Sequence, residues 1–206
     1  MDAVAPHVDP AGVVFDVGAN IGYFTLLLAR KVRFKGYAFL FEPVPHLARL
    51  CRKTFSRSPF AATVFEYGLS DCDEERDLMI SGSGNLGWNT LVAEKASSDM
   101  APVQARFKAY TSVALDVKPS FIKIDVEGAE YKVLTGMMPA LRTWTPLPTI
   151  LCEIAWGASH PAWQEEITVL KNVRRLGYTV TDLEGVPVAL DTLTETSDLL
   201  FVPRKG

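Results

Sequence analysis

The chain has 206 residues, enough for one α/β domain with a sizeable core and too few for two domains of ordinary size. Hydrophobic residues make up 48% and charged residues 22%, which excludes a disordered chain. The net charge of −3 gives no general attraction to nucleic acid or to an anionic membrane, and neither is expected as a partner. No apolar run approaches the length of a membrane span, and the N-terminus lacks the basic stretch and apolar core of a secretory leader. Cys51, Cys72 and Cys152 are odd in number and far apart, with no metal-type spacing. Cys51 and Cys152 stand in apolar surroundings and are expected as core thiols in a reduced, cytoplasmic setting.

The elements follow in chain order. Residues 13–17, Val-Val-Phe-Asp-Val, read as a first strand, and residues 21–32 carry apolar residues at helical spacing. Between them lies a loop with Gly18 and Gly22, where the backbone can approach a ligand and a helix start would offer free N–H groups. A second strand is expected at 37–42, then a helix at 45–56 with its proline in the first turn, then a third strand at 63–67. The basic residues Arg49, Arg52, Lys53 and Arg57 all fall on or beside that second helix and read as a solvated face. The rhythm then breaks. Residues 70–110 hold an acidic turn (71–77), a short strand (78–81), a Gly/Asn-rich loop (82–89) and a strand (103–110), together a β-hairpin insertion with a mobile tip. Regular alternation returns with a strand at 121–125, a helix at 129–141, a strand at 149–153 and a helix at 162–176 closed by Gly177. Strands at 178–183 and 199–202 end the chain without an intervening helix, which suits an antiparallel hairpin on a parallel sheet. The whole chain, 1–206, reads as a single doubly wound domain.

Such sheets bind ligands beyond the carboxyl ends of their strands. Each expected strand end there carries a polar residue: Asp16, Glu42, Ser70 with Asp71, Asp125 and Glu153. Glu42 lies twenty residues past Gly22, where an acid at the end of the second strand can hold both hydroxyls of a ribose; it would equally suit the N-terminus of the next helix. That spacing fits a nicotinamide dinucleotide as well. Asp16 argues otherwise, because a carboxylate beside the loop repels a pyrophosphate and attracts the ammonium and sulfonium of S-adenosylmethionine (SAM). The loop itself, Gly18-Ala19-Asn20-Ile21-Gly22, departs from G-x-G-x-x-G. Lys123 is the second anomaly. A central parallel strand is covered on both faces, so a lysine there is paired with a carboxylate or takes part in acceptor chemistry. Glu127 and Glu130 flank the start of the next helix, where a capping role and a site role are both open for Glu130.

Four segments together resemble the FkbM family of SAM-dependent methyltransferases. They are Phe15-Asp16-Val17-Gly18-Ala19-Asn20-Ile21-Gly22-Tyr23-Phe24-Thr25, Phe41-Glu42-Pro43, Gly68-Leu69-Ser70-Asp71 and Ile122-Lys123-Ile124-Asp125-Val126-Glu127-Gly128-Ala129-Glu130. Leu134, Gly136 and Leu151-Cys152-Glu153-Ile154 agree with it, and the resemblance covers about residues 12–202. It implies a Rossmann-like class I methyltransferase fold: a seven-stranded, mostly parallel sheet with an antiparallel last strand and helices on both faces. It also implies SAM as cofactor, S-adenosylhomocysteine as product and transfer most often to oxygen. Carried over by position, Asp16, Gly18, Asn20 and Gly22 would line the methionine part of SAM, with Ala19, Tyr23, Thr25 and Pro43 also in the cofactor site. Glu42 would hold the ribose, Ser70 and Asp71 would lie beside the adenine, and Asp125 would face the transfer site.

Methyl transfer to a hydroxyl needs a base for its proton; transfer to a carboxylate needs none. Candidates for the base are Glu153, Glu127, Lys123 and His160, the last in a loop at the active edge. Asp125 completes the catalytic set, and Asn85, Trp88, Asn89, Glu127 and Trp156 are candidates to contact the acceptor. Asp125, Glu127 and Glu153 are the oxygen ligands on offer for Mg²⁺, but nothing requires a metal and none is expected. The expected acceptor is a small molecule bearing a sugar-type or polyketide-type hydroxyl, or a carboxylate. A SAM-fold module without turnover and an NAD-dependent oxidoreductase are the competing readings. Removing Asp16 is expected to abolish SAM binding without opening the core.

Overall fold

The computed structural model describes residues 1–81, 89–90 and 100–204. Its main sheet is assembled from β1 (Val13–Val17), β2 (Tyr37–Phe41), β3 (Ala61–Phe65), β8 (Phe121–Ile124), β9 (Thr149–Ile154), β10 (Tyr178–Thr181) and β11 (Ser197–Pro203). The order across the sheet is β10-β11-β9-β8-β1-β2-β3. Every pairing is parallel except those of β11, which runs antiparallel to β9 and to β10. The order reverses between β1 and β8, and their carboxyl ends frame the crevice where ligands of such sheets bind. This is the class I methyltransferase architecture expected from the resemblance.

Alternation along the strands sends two apolar sets to opposite faces. Phe15, Val17, Ile122, Ile124, Ile150 and Cys152 pack with Val133, Leu134 and Met137 of α3 (Glu130–Leu141) and with Ile167 and Leu170 of α4 (Trp163–Arg175). Val14, Ala38, Leu40, Phe121 and Leu151 face Leu28 and Ala29 of α1 (Tyr23–Val32) and Cys51 and Phe55 of α2 (Pro45–Phe55). All three cysteines are free thiols, with Cys51 and Cys152 buried as expected. None of the described helices is long and apolar enough to cross a membrane.

The insertion is larger than a hairpin. β4 (Gly68–Ser70), β5 (Glu74–Ser81), β6 (Asn89–Thr90) and β7 (Met100–Ala109) form a second sheet in the order β4-β7-β5-β6. The segment expected as an acidic turn is the first half of β5, because Glu74, Glu75, Arg76 and Asp77 pair in register with Phe107, Arg106, Ala105 and Gln104 of β7. The third strand of the main sheet also begins two residues earlier than expected, and the chain then breaks away to start β4. Leu78, Ala105 and Phe107 dock the second sheet onto Val44 and Leu47 at the start of α2, with Ile21 of the glycine loop packed beside them. Gly136 on α3 brings the other end of this sheet close: a Cβ there would stand 1.9 Å from the Ser70 carbonyl oxygen.

Candidate active site

The glycine loop holds itself together with its own N–H groups. Those of Gly18 and Ala19 donate to the Phe41 carbonyl at 3.0 and 3.1 Å. The Asn20 N–H donates to Glu42 Oε2 at 2.7 Å, that of Ile21 to Asn20 Oδ1 at 2.8 Å, and that of Gly22 to the Ala19 carbonyl at 2.7 Å. The helix begins at Tyr23, not at Ile21, after Gly22 in the left-handed region, and the donors of the loop that precedes it are spent.

Glu42 stands where either of its open roles could be filled. It is buried and lines the cavity above the loop, while its Oε1 accepts from the Val44 N–H at 2.8 Å and so caps the approach to α2. Each of its oxygens keeps an acceptor site beyond the bond it already makes. Burial pushes its proton affinity up to about 7, against the pull of the Val44 and Asn20 N–H groups and Lys123. The cavity has a volume of about 380 Å³. Gly18, Ala19, Asn20, Tyr23, Glu42 and Pro43 line one side, and Lys123, Asp125 and Glu127 lie at its far end. Gly68, Leu69, Leu78 and Phe107 make its apolar wall, and none of the four was expected as a site residue. The long separation of Leu78 and Phe107 from the glycine loop hid them; only the pairing of β5 with β7 brings them to one place. Ser70 and Asp71 do not line the cavity. Ser70 is buried beside α3, and Asp71 is exposed, 3.9 Å from Lys132 Nζ.

Asp16 is also placed differently from expectation. It is fully buried beneath the loop, off the cavity lining, and accepts from Thr25 Oγ1 at 2.6 Å. Register puts it beside Lys123, on the face of the sheet that α1 covers. Lys123 Nζ lies 2.8 Å from Asp125 Oδ2 and 3.6 Å from Asp16 Oδ1, and donates to the Gly18 carbonyl at 3.2 Å. Burial alone would lower the affinity of this ammonium for its proton; Asp16 and Asp125 outweigh that and hold it above the usual lysine value. Lys123 is thus a paired lysine. Removing Asp16 strips a buried cation of one counter-charge, so that substitution is expected to cost stability as well.

A second cavity of about 220 Å³ adjoins the first, sharing Phe24, Lys123 and Asp125 with it. Glu153 and Asp198 line its acidic side. Burial, with Asp125 and Asp198 nearby, pushes the Glu153 carboxyl up to about 7. Glu127 has its backbone in the left-handed region, at φ 56°, and burial with Asp125, Glu153 and Glu130 around it pushes its carboxyl up to about 8. Strain of this kind concentrates where a site over-determines the backbone. Trp156, also left-handed at φ 68°, donates from its indole N–H to the Glu127 carbonyl at 3.3 Å; it steadies that residue and lines neither cavity.

His160 is corrected as a base. Its Nδ1 accepts from the Ala162 N–H at 2.9 Å, which leaves Nε2 to donate to the Gly128 carbonyl at 2.8 Å. A buried imidazole with both nitrogens so engaged pins the loop after β8 to the start of α4. Glu130 braces the loop ahead of its own helix: its carboxyl accepts from the Val126 and Gly128 N–H groups at 3.0 Å each. Asn85 and Trp88 lie outside the described residues, as does the side chain of Asn89, whose backbone pairs with Ile80 in β6.

The model of the Methyltransferase FkbM domain matches residues 16–180. The chain belongs to the FkbM methyltransferase family. It is 25% identical over 178 residues to the hexuronic acid methyltransferase AglP of Haloferax volcanii, covering 83% of this chain and 66% of that protein. It is 30% identical over 158 residues to methyltransferase 1 of Beauveria bassiana, covering 65% of this chain and 61% of that one. The FkbM chain therefore spans a little under two thirds of the length of these curated relatives. The crystal structure of methyltransferase FkbM from Methylobacillus flagellatus shares the fold at a TM-score of 0.58 and 18% identity, over 94% of this chain and 44% of that one.

The cofactor of the FkbM family is SAM, and the residues present fit it. The first cavity joins a buried carboxylate with acceptor capacity, a loop whose N–H groups are already satisfied and an apolar wall of Leu69, Leu78 and Phe107. Beneath the FkbM site, Glu130 and Glu166 form a buried acidic pair. Burial, and then Glu130, push Glu166 up to about 8, while burial pushes Glu130 up to about 7 against its N–H bonds. A carboxyl whose proton affinity is raised on folding withdraws stability as pH climbs from its unfolded value, near 4.5, through its folded one. Glu166→Gln is accordingly expected to gain about 1–3 kcal/mol over the wild type near pH 8.5, with little difference near pH 5. Urea unfolding at the two pH values checks this; equal gains at both would refute it.

Proposed function

We propose that this chain transfers the methyl group of SAM to a hydroxyl of a small, sugar-like acceptor, with Glu153 taking the acceptor's proton. Glu153 carries the reading. It is a half-buried carboxyl in a cavity that shares Lys123 and Asp125 with the cofactor cavity, and its proton affinity is brought to about 7. A base of that strength suits a hydroxyl acceptor at neutral pH. A carboxylate acceptor needs no base and would meet Asp125, Glu127, Glu153 and Asp198, against Lys123 and the Met1 amino group. The name of the Haloferax volcanii relative supports a sugar-type acceptor over a polyketide-type one.

Bound SAM supplies an electrophilic methyl carbon on a sulfonium, with a neutral thioether as the leaving group. In this reading Glu42 receives the ribose hydroxyls on its remaining lone pairs, Gly18 and Asn20 lie along the methionine part, and Leu69, Leu78 and Phe107 face the adenine. Lys123 holds the Gly18 carbonyl and the Asp125 carboxylate in fixed relation, so the cofactor loop and the acceptor end of the cleft keep their spacing.

The test is release of S-adenosylhomocysteine from SAM in the presence of neutral hexoses, hexosamines and hexuronic acids, each followed by locating the methyl group on the product. Glu153→Gln is expected to lower turnover by about 10²–10³-fold with SAM affinity unchanged by calorimetry. Turnover retained in that variant, or methyl found on a carboxylate, would overturn the assignment. Tight S-adenosylhomocysteine binding with no methylated product from any acceptor would favour the binding module.

A further inference from the structure

Glu153 on β9 stands directly opposite Asp198 on the antiparallel strand β11. Residues so opposed on one face carry their Cβ atoms about 4.5–5.5 Å apart. Both side chains line the second cavity together with Lys123 and Asp125, and Asp125 stands next to Glu153. Like charges in this arrangement cost stability. The nearest buried cation offsets them only in part, because Lys123 Nζ is shared with Asp125 at 2.8 Å and Asp16 at 3.6 Å. Of the remaining charged groups here, Glu127 approaches Glu153 from the loop after β8, and the Met1 amino group faces Asp198 from the N-terminal segment. A carboxylate kept opposite another, where an amide or an apolar residue would pair better, needs a reason in the chemistry.

We propose that Asp198 is a positioning residue for the methyl transfer: its carboxylate, held across the strand pair from Glu153, strengthens Glu153 as the acceptor of the substrate's proton. The proposal rests on the reading of Glu153 as base. In the step it serves, the acceptor oxygen bonds to the methyl carbon and the carbon–sulfur bond breaks, its electron pair returning to sulfur. The hydroxyl proton passes to the Glu153 carboxylate. Asp198 exchanges no proton and forms no bond in this step; it acts on it through Glu153.

The experiment is ¹³C-carboxyl NMR of the full chain labelled at glutamate and saturated with S-adenosylhomocysteine, titrated from about pH 4 to pH 9. The Glu153 signal is assigned by its loss in Glu153→Gln. Asp198→Asn is expected to lower the Glu153 midpoint by about half a unit, an effect limited by the exposure of Asp198. The same variant is expected to melt about 1–3 °C higher than wild type near pH 8.5, where both carboxyls are charged, and to lose that advantage near pH 5.5. Asp198→Glu should restore the wild-type midpoint. A Glu153 midpoint unmoved in Asp198→Asn, or a lower melting temperature near pH 8.5, would overturn the proposal, since a merely structural Asp198 gives one or both. Failure of the base assignment reads out separately, as turnover retained in Glu153→Gln whatever Asp198→Asn does.

Discussion

Gly18→Ala is expected to remove measurable SAM binding and to cost about 3 kcal/mol or more of stability. Gly18 has φ 80°, a region that L side chains rarely adopt, and an added Cβ would stand 1.8 Å from the Asp125 carbonyl oxygen. The obstacle is backbone, so no rotamer change relieves it. The Asp125 N–H donates to the Val17 carbonyl at 3.1 Å, and Lys123 donates to the Gly18 carbonyl, so the ends of β1 and β8 are tied on both sides of the contact. Forcing them apart breaks those ties and separates the glycine loop from Asp125, the two halves of the cleft. Calorimetric titration with SAM and urea unfolding check the two effects. An affinity within about twofold of wild type would refute this account of the loop.

Lys123→Met is expected to destabilise the protein by about 3–5 kcal/mol, because it leaves buried carboxylate without its counter-charge. Asp16 has no exposed surface, and its Oδ1 makes no hydrogen bond within the protein; the Lys123 ammonium at 3.6 Å is what stands beside it. The remedy distinguishes pairing from packing. Met fills much of the lysine's volume, so adding Asp16→Asn to Lys123→Met should recover a large part of the loss if the charge is responsible. Urea unfolding of both single variants and the double variant supplies the cycle. A double variant no more stable than Lys123→Met would show that the lysine matters for its packing and for the Gly18 carbonyl instead.

Where sequence reading succeeded, the chemistry was local. Strand, glycine loop and helix at the first motif, the alternation of strands with helices, and the reversed final strand each followed from patterns within about twenty residues. The family resemblance rested on contiguous motifs and was confirmed over residues 16–180. Lys123 was legible as an anomaly, since a lysine in a strand with four buried positions demands a partner. Asp125, two residues on along the same face, is its partner at 2.8 Å; that Asp16 is the other was not legible, because it belongs to a strand more than a hundred residues earlier in the chain.

The errors share one cause. Residues 71–77 read as a turn because six of the seven are charged, yet β7, some thirty residues on, pairs with Glu74 to Asp77. His160 read as a base because it lies at the active edge; its two hydrogen bonds, to Gly128 and Ala162, make it a brace. The helix read as starting at Ile21 with free donors, yet Asn20 Oδ1 and the Ala19 carbonyl use the Ile21 and Gly22 N–H groups and the helix starts at Tyr23. Asp16 read as a wall of the pocket and stands beneath it. Residue type and spacing carry enough to name the fold, the family and the strand ends where chemistry gathers, because those depend on periodicity and on short motifs. Which donors are spent, which carboxyls oppose each other and which side chains meet across the cleft depend on strand register and burial. Those are properties of distant segments brought together, and the free energy that decides them exists only once the sheet has formed.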